Sequence, residues 1–476
     1  MKTYQDLMIA MGKGQDSLYS FIETAISEHK SSEAYKIALD ASNYDRQQNT
    51  TIINYVKYIY NSLKIKTVDT LASNNKLCSN IFHRLNTQRC LYSLGNGVTF
   101  TKDSTKKRLG KNFDNQLKDG AYKSLIHGLS FGFWNNDHLD IFDFLQFVPL
   151  WDEETSKLRA GIRFWQLDSD KPLYIRLYLE GGSIKFVKRK GKKIEEVEQS
   201  KYLRIVKSTE LGGVEGIENE NYQGFPIVPI WSNSLHQSTF VGMKGKLDAI
   251  DLISSGICND VNDFSEVYWL INNASGMDRR DIAEFRARLK FDHVAIVDDE
   301  NSSVQPFTQD VPTASRVETL NYLKKSIYED FGGLDVHEIS ATSTNDHIDA
   351  AYQPLDEEAD DFELQLIKFI HNILELLGIE DEPIFKRNRI SNQKEQTDMV
   401  LSASEYLDDE TVLKKLPFVS IDEVNEILKK KEEESANRFN EDINSANEED
   451  EGDDENNIED NENNNKSIDN NQKKEE

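Results

Sequence analysis

Cysteine and long apolar runs are both scarce in this 476-residue sequence. Its three cysteines, Cys78, Cys90 and Cys258, are odd in number and lack metal-ligand spacing, which is typical of free thiols in a reducing compartment. The first apolar run, residues 7–11, is too short for a signal peptide, and no run approaches the ~20 apolar residues of a membrane span. We therefore expect a soluble protein made in a cytoplasm, without a membrane segment.

Basic residues are also clearly outnumbered by acidic residues. The chain has 56 basic and 84 acidic residues and a formal net charge of −28. The last forty residues, 437–476, contain 15 acids and 4 bases, and this composition predicts a disordered acidic tail. The rest of the chain is still acidic, which argues against tight nonspecific binding of nucleic acid, because such binding needs Lys and Arg to neutralise phosphates.

Signatures of nucleotide and metal binding are missing. The sequence contains no GxxxxGK[ST], GxGxxG or HExxH motif, so we expect neither a cofactor nor a metal ion. His337 and His347, together with Asp335 and Asp346, could bind a metal, but their spacing fits no known closed site and favours a polar loop.

One catalytic motif does occur. Gly128-Leu-Ser130-Phe-Gly132 matches the G-x-S-x-G nucleophile elbow, with His127 and His138 nearby, and suggests a serine hydrolase as an alternative function. That motif requires a strand before the serine and a helix after it. Here a helical pattern comes first and strand patterns follow, so we expect Ser130 not to be catalytic and the protein not to be an enzyme.

The most unusual stretch has no cation at all between Lys325 and Lys368. It is either an ordinary solvated acidic face or a surface that repels a polyanion. Twelve carboxylates fall within it: Glu329, Asp330, Asp335, Glu338, Asp346, Asp349, Asp356, Glu357, Glu358, Asp360, Asp361 and Glu363.

Two helical patterns flank a polar segment in this stretch. The first runs from Val317 to Phe331 and stops at Gly332-Gly333, a typical helix end. The second runs from Ile348 to Leu376 with strict 4-3 apolar spacing, which predicts packing against another helix. Pro354 interrupts it and predicts either a kink or a helix restarting there.

The region before residue 235 predicts an α+β domain. Residues 1–95 carry helical patterns, including one from Ile52 to Leu63. From residue 131 to residue 206, short aromatic and β-branched runs alternate with turn signals, which predicts an antiparallel meander.

A second 4-3 seam runs from Met243 to Ile271 and predicts a helix of about 29 residues, or ~43 Å. After it comes a small insert whose helical part carries five basic residues. That cluster is either a surface salt-bridge array or a DNA-binding patch. Residues 291–297 and 303–307 predict a hairpin that completes the insert.

The order of these parts resembles the portal proteins of tailed bacteriophages, of the Gram-positive siphophage type. Five local segments resemble that family in the same order: 88–100, 147–151 followed by 158–165, 225–229 leading into 248–263, 385–388 with Asn392 and Glu395, and 409–419. The resemblance implies an α+β portal fold divided as follows: wing 1–235, stem helix 236–271, clip 272–310, second stem helix 311–331, tunnel loop 332–347, kinked tunnel helix 348–378, crown 379–436 and tail 437–476.

The same resemblance implies a homo-oligomeric ring, usually of twelve subunits, that passes double-stranded DNA through one capsid vertex. Its implied partners are a packaging ATPase (the terminase large subunit), major capsid and scaffolding proteins, and a head-completion adaptor. Its implied location is the virion, with assembly in the host cytoplasm. The alternatives are the serine hydrolase and a DNA-binding scaffold that uses Arg279 to Lys290.

Three sets of residues receive roles from this interpretation. The DNA-facing loop set is Asp335, His337, Glu338, Ser340, Thr342, Ser343, Thr344, Asn345 and Asp346. The subunit-interface set on the stem is Met243, Leu247, Ile250, Ile257, Val261 and Phe264. The clip set, expected to dock the adaptor or the ATPase, is Arg279, Arg280, Arg286, Arg288 and Lys290.

Overall fold

The computed structural model describes most of the chain and confirms a mixed helix-and-strand architecture. The residues described are 2–60, 64–69, 72–202, 222, 224–264, 268–272, 278–291, 303–307, 313–336, 344–389, 393–416, 419, 424, 426–431 and 433.

The helices alternate with strand-rich regions along the chain. In order they are α1 (Tyr4–Gly12), α2 (Gln15–Ser31), α3 (Glu33–Asp45), α4 (Thr50–Ile53), α5 (Ile81–Leu94), α6 (Asp103–Leu109), α7 (Phe113–His127), α8 (Lys244–Phe264), α9 (Arg279–Phe291), α10 (Thr313–Phe331), α11 (Asn345–Leu377), α12 (Gln393–Ser402) and α13 (Asp409–Lys415).

The strands are short and pair antiparallel. They are β1 (Tyr58–Tyr60), β2 (Lys66–Val68), β3 (Val98–Phe100), β4 (Leu129–Asn135), β5 (His138–Asp143), β6 (Phe147–Trp151), β7 (Leu158–Trp165), β8 (Leu173–Leu179), β9 (Gly182–Lys188), β10 (Ile194–Ser200), β11 (Ile227–Trp231), β12 (Tyr268–Asn272), β13 (Ser303–Phe307) and β14 (Pro383–Phe385).

The predicted meander is confirmed as two sheets. A five-stranded sheet has the order β10-β9-β8-β7-β6, and a three-stranded sheet has the order β11-β4-β5. Helix α2 covers the first sheet, since Ile22 and Ala25 join the core formed by Ile162 and Phe186. Helices α7 and α11 contribute to the core of the second, because Leu117 and Phe369 are buried beside Phe131.

Two helix predictions near the ends of apolar runs are wrong. Tyr268 and Ile271 continue the 4-3 seam in sequence, but they lie in β12, which pairs with β13. Helix α8 therefore has 21 residues and ends at Phe264. The pattern from Ile52 to Leu63 forms only the short α4 followed by β1, which pairs with β2.

The predicted pairing of residues 291–297 with 303–307 stays a prediction, because most of its first strand lies outside the described residues. Strand β13 pairs with β12, across the base of the insert, and Phe291 is the last residue of α9 rather than the start of a strand. Residues 292–302 lie outside the described part of the chain.

Helix α11 has 33 residues and continues through Pro354, so the predicted restart at this proline is wrong and the kink stays a prediction. Its apolar seam is buried within the chain itself. Ile348 and Tyr352 pack with Tyr92, and Phe362 and Phe369 belong to the core around β4. The seam therefore packs into a broad core. The spacing had instead suggested packing against a single partner helix.

The chain forms two compact units, one made of residues 1–340 and 346–390 and the other of residues 341–345 and 391–476. Residues 379–390 were predicted to begin the crown, yet β14 pairs with β3 inside the first unit. In the second unit, Asp408 caps α13 by accepting a hydrogen bond from the Thr411 N–H at 3.1 Å.

Candidate functional site

The candidate site is the inter-helix segment, residues 332–344, which connects α10 to α11. It starts at Gly332, whose φ is +63°. The Gly332 N–H donates to the backbone carbonyl of Glu329 at 3.2 Å, and the Gly333 N–H donates to the backbone carbonyl of Tyr328 at 2.9 Å. These are the two hydrogen bonds of a Schellman motif. A Cβ on Gly332 would lie 2.6 Å from the Glu358 side chain, so this turn lies directly against α11.

Gln88 of α5 holds the first residue after that turn. Its amide nitrogen donates to the Leu334 carbonyl at 2.9 Å, and its amide oxygen accepts from the Leu334 N–H at 2.9 Å. Leu334 is buried with Ile348 and Tyr352, so its side chain and its backbone are both fixed. The first residues of the segment are therefore held against α5 and α11.

Arg89 joins the three helices that meet at this point. Its guanidinium forms an ion pair with Glu358 of α11 at 2.9 Å and donates to the Phe331 carbonyl at the end of α10. It also lies 4.3 Å from the centre of the Phe331 ring. Arg89 is only 4% exposed. Burial lowers the pKa of Arg89, and the negative charges of Glu358 and Asp361 act in the opposite direction.

Two arginines from the segment after β14 form ion pairs with the acidic face of α11. Arg387 makes a bidentate pair with Glu363, with N–O distances of 3.0 and 2.9 Å, and also pairs with Asp356 at 2.9 Å and with Asp360. The hydrogen bond from Glu363 comes first among the causes that raise the pKa of Arg387.

The second arginine extends this cluster towards the start of α11. Arg389 pairs with Asp349 at 3.0 Å and with Asp356, and it donates to the Tyr92 hydroxyl at 2.8 Å. That hydroxyl donates to Asp356 at 2.6 Å. Burial and this hydrogen bond raise the pKa of Tyr92 to about 12, so the phenol stays neutral at physiological pH.

These contacts correct the interpretation of the cation-free stretch. Four of its twelve carboxylates pair with Arg387 or Arg389, Glu358 pairs with Arg89, and Asp330 pairs with Lys246 of α8. Asp361 accepts hydrogen bonds from Ser234. Most of the acids on α11 thus have partners within the chain, so this helix does not present an open acidic face.

The predicted DNA-facing set is described only in part. Asp335 is half-buried at the start of the segment, while Thr344 and Asp346 are exposed at its end. The backbone of Asn345 begins α11. The other predicted members lie outside the described residues: His337, Glu338, Ser340, Thr342 and Ser343.

The first half of the predicted stem interface is buried within the chain, and its role between subunits stays a prediction. Met243, Leu247 and Ile250 lie in a core that includes Phe331 and Phe82. The cause is that the first turns of α8 pack against α10 and α5 of the same chain. Further along, Ile257 is half-buried and Val261 is exposed, and the side chain of Phe264 is outside the described residues.

All five residues of the basic clip set lie on α9. Arg279 and Arg280 form its first turn, where Asp278 accepts hydrogen bonds from the N–H groups of Arg280 and Asp281 at 2.7 and 3.0 Å. The Arg280 side chain is exposed. The side chains of Arg279, Arg286, Arg288 and Lys290 are outside the described part.

Ser130 is not placed as a nucleophile. It lies on β4, directly after α7, and is fully buried. Its hydroxyl donates to the Gly120 carbonyl at 2.7 Å. The nearby His127 is also buried and lies 3.1 Å from Asp143, and burial lowers the pKa of His127. These contacts are those of a packed core, which disfavours the hydrolase alternative.

Metal-ligand clusters and membrane-spanning helices are both absent from the described residues. There, no group of three or more His, Cys, Asp or Glu side chains converges in the way that a metal ion requires. None of the helices described has the length and apolarity needed to cross a membrane.

The residues that build this site differ from those that sequence reasoning selected. Gln88, Arg89 and Arg387 were present in segments that resembled the portal family, but no role followed from them, and Arg389 was not singled out. The available signal was charge balance: a stretch with twelve acids and no cation needs cations from elsewhere if it is to be packed.

A family model described as "Phage portal protein, SPP1 Gp6-like" matches residues 35–437. A curated portal protein of Clostridium phage phiCD119 is 25% identical over 233 residues, which is 46% of this chain and 51% of that protein. The chain thus spans about half the length of the curated relative it matches.

Among solved structures, a chain from the neck of a native GTA particle, computed with C12 symmetry, is similar over 71% of this chain and 89% of its own length. The two share 10% sequence identity at a TM-score of 0.42. A similarity of that size does not by itself establish a common fold.

Proposed function

The chain belongs to the SPP1 Gp6-like family of phage portal proteins, and from that membership we propose that its copies close into a ring around an axial channel for double-stranded DNA at one capsid vertex. The observation that carries the proposal is the family match, which spans α10, the inter-helix segment and α11 together. We keep the domain boundaries given above as part of this proposal, with residues 379–390 moved to the body of the subunit.

The inter-helix segment is the part that would face DNA. Duplex DNA carries one negative charge per ~1.7 Å of axis, so several cations from each subunit would hold it in place. The segment and the first turn of α11 instead offer Asp335, Glu338 and Asp346 together with neutral hydroxyls. Repeated around a ring, these carboxylates would keep the duplex from binding tightly within a Debye length of ~8 Å. Neutral hydroxyls can exchange phosphate contacts at little cost in energy.

The base of the segment supports this role. Gln88 fixes Leu334, and Arg89 fixes the end of α10 against α11, so both helices are held at the point where the segment leaves them. A short polar segment on such a base can respond to the passing DNA without disturbing the packing of the subunit.

The movement of DNA needs energy from elsewhere, since the sequence has no nucleotide-binding motif. We infer that a packaging ATPase, and later an adaptor protein, dock on the clip, residues 272–310. Capsid and scaffolding proteins would surround the wing in the virion and during assembly in the host. The clip arginines could instead bind DNA directly, in which case DNA affinity would fall steeply with salt concentration.

Purified full-length protein is expected to form closed rings. Mass photometry should show a species of about twelve subunits, and negative-stain images should show rings with a central opening. A subunit that stays monomeric at micromolar concentration would contradict the proposal, because the channel exists only between copies.

A triple variant tests the charge of the segment. Replacing Asp335, Glu338 and Asp346 with Lys should leave ring formation intact and reduce DNA packaging several-fold, because each subunit would then attract phosphates. The matched control is the triple replacement with Asn, Gln and Asn, which removes charge without adding cations. Packaging at the wild-type rate in the lysine variant would contradict the repulsive-lining idea.

A further inference from the structure

Three cations stand side by side on the five-stranded sheet, on the face opposite the core shared with α2. Arg163 of β7 lies directly opposite Arg176 of β8, and Arg176 lies directly opposite Lys185 of β9. We call these three residues the basic row; on β10 the row ends at Glu198, opposite Lys185. Like charges directly opposite each other destabilise a sheet. The basic row therefore needs negative charge, and the sheet supplies only one carboxylate in this register.

Other parts of the chain do not balance the basic row. Arg176 approaches Glu198 only to 4.0 Å, and an exposed pair at that distance contributes little. Among the described residues, neither Arg163 nor Lys185 forms an ion pair with a carboxylate. The Nε atoms of Arg163 and Arg176 are buried without a hydrogen-bond partner in the part of the chain that the structure describes. The basic row thus has an excess of positive charge and donors that are not satisfied.

Aromatic rings hold the basic row in place. All three cations are half-buried. The Arg163 guanidinium lies 5.2 Å from the centre of the Trp165 ring, and the Lys185 ammonium lies 5.7 Å from the centre of the Tyr174 ring. Those two rings stack on each other with centres 5.7 Å apart. Because the cations are already ordered, a ligand would pay little conformational entropy to bind them.

A cavity of about 270 Å³ adjoins the basic row at its central residue. Its lining includes two cations and two hydroxyls, on Arg176, Lys201, Ser183 and Ser200. Asp137 also lines the cavity, but its carboxylate lies 2.8 Å from a ring nitrogen of His138. Guanidinium, ammonium and hydroxyl groups are the donors that bind an oxyanion. The basic row and the cavity together therefore have the chemistry of an oxyanion site.

We propose that the basic row and the adjoining cavity bind the carboxylates of an acidic segment in another virion protein. The inference rests on the proposed function, in which capsid and scaffolding proteins surround the wing, and it names a surface that one of them would use. A guanidinium binds a carboxylate through two parallel hydrogen bonds, so the two arginines suit this partner better than lysines would.

Duplex DNA is the other polyanion that a row of cations could attract, and the surroundings of the basic row disfavour it. A duplex is broader than the row and would also meet Glu195 and Glu198 on the adjacent strand, in a chain of net charge −28. Single-stranded nucleic acid needs open aromatic faces for its bases, but Trp165 and Tyr174 already stack on each other. An extended acidic peptide is narrow enough to contact the basic row alone.

Fluorescence anisotropy tests the site on the full-length protein. At low salt, a fluorescein-labelled octaglutamate peptide should bind wild type, and an octaglutamine peptide should not. The double variant Arg176→Met, Lys185→Met should weaken octaglutamate binding at least tenfold, because it removes two of the three cations and keeps most of their apolar stems. The control Lys190→Met, Lys192→Met removes the same charge from the exposed turn between β9 and β10 and should weaken binding less than twofold. Equal weakening by the two double variants would overturn the inference.

Thermal unfolding separates a ligand site from a structural cluster of charges. Without peptide, the double variant at Arg176 and Lys185 should have a Tm equal to or above that of wild type, because it removes like-charge repulsion across the strands. Octaglutamate should raise the Tm of wild type and leave that of the variant unchanged. If the variant melts below wild type without peptide, the cations stabilise the sheet themselves and the inference is overturned.

The remaining outcomes distinguish the partner, the site and the proposed function. If a short DNA duplex binds as tightly as octaglutamate and loses its affinity in the same variant, the choice of a protein partner is overturned. Rings that do not bind octaglutamate would overturn the site and leave the proposed function standing. A monomeric wild type that binds octaglutamate would overturn the proposed function and support the carboxylate site.

Discussion

Replacing Arg89 by methionine should lower the hydrogen-exchange protection of the last α10 turn about a hundredfold, which is about 2.8 kcal/mol. Methionine fills most of the space of the arginine stem, so packing changes little. The substitution removes the donor to the buried Phe331 carbonyl, and an unsatisfied buried acceptor costs about 1–3 kcal/mol. It also removes the contact with the Phe331 ring and the ion pair with Glu358.

The same substitution at Arg84 is the matched control, because Arg84 lies exposed on the same helix. It should change protection by less than about 0.5 kcal/mol. A double variant, Arg89→Met with Glu358→Met, should recover part of the loss, since replacing both partners of an ion pair by apolar groups avoids an unpaired charge. Unchanged exchange at Gly332 and Gly333 in the single variant would contradict the role given to Arg89.

The predictions that were confirmed depend on local signals. The Gly332-Gly333 pair predicted the end of α10, and the structure shows why: a positive φ and a close approach to α11 both require a residue without a side chain. The meander was recognisable because each short strand is bounded by turn residues such as Gly181-Gly182.

The predictions that failed are those in which one pattern has two structural meanings. Tyr268 and Ile271 continue the 4-3 spacing, but the apolar run Tyr268–Ile271 also fits a short strand, and pairing with β13 selected the strand. The seam on α8 indicated that one face of the helix would be buried, but not by what. Its first half is covered by α5 and α10 of the same chain, and only later positions such as Val261 remain exposed.

The position of the candidate site could be predicted from the sequence, but the contacts that hold it could not. The polar, cation-free segment between two helices was visible in the sequence. The partners of its flanking helix were not, because Arg387 and Arg389 reach α11 from 24–40 residues away after a chain reversal at Gly378 and β14. The apolar periodicity of a helix does not indicate which distant segment of the chain packs against it. Only the excess of carboxylates on α11 hinted that cations had to come from another element.

Removing the guanidinium of Arg387 should release the segment after β14 from α11. Arg387→Ala leaves Asp356, Asp360 and Glu363 close together on one helix face without their shared cation. Breaking a fully buried ion pair costs about 3–5 kcal/mol, but partial exposure of Arg387 and Asp360 lets water replace some of the contacts. We expect a loss of about 2 kcal/mol, or about thirtyfold in the hydrogen-exchange protection of β3 and β14.

Three variants separate the effect of net charge on this protection from the effect of the specific contacts of Arg387. Lys386→Ala removes a neighbouring exposed cation and should leave β3 and β14 protected as in wild type. Arg387→Lys keeps the charge but cannot make the bidentate contact with Glu363, so its protection should fall between the two. Adding Asp360→Asn and Glu363→Gln to Arg387→Ala should restore part of the protection, because it removes two of the repelling carboxylates. If Lys386→Ala and Arg387→Ala lowered protection equally, the segment would be held by net charge, and the specific pairing described for Arg387 would be unnecessary.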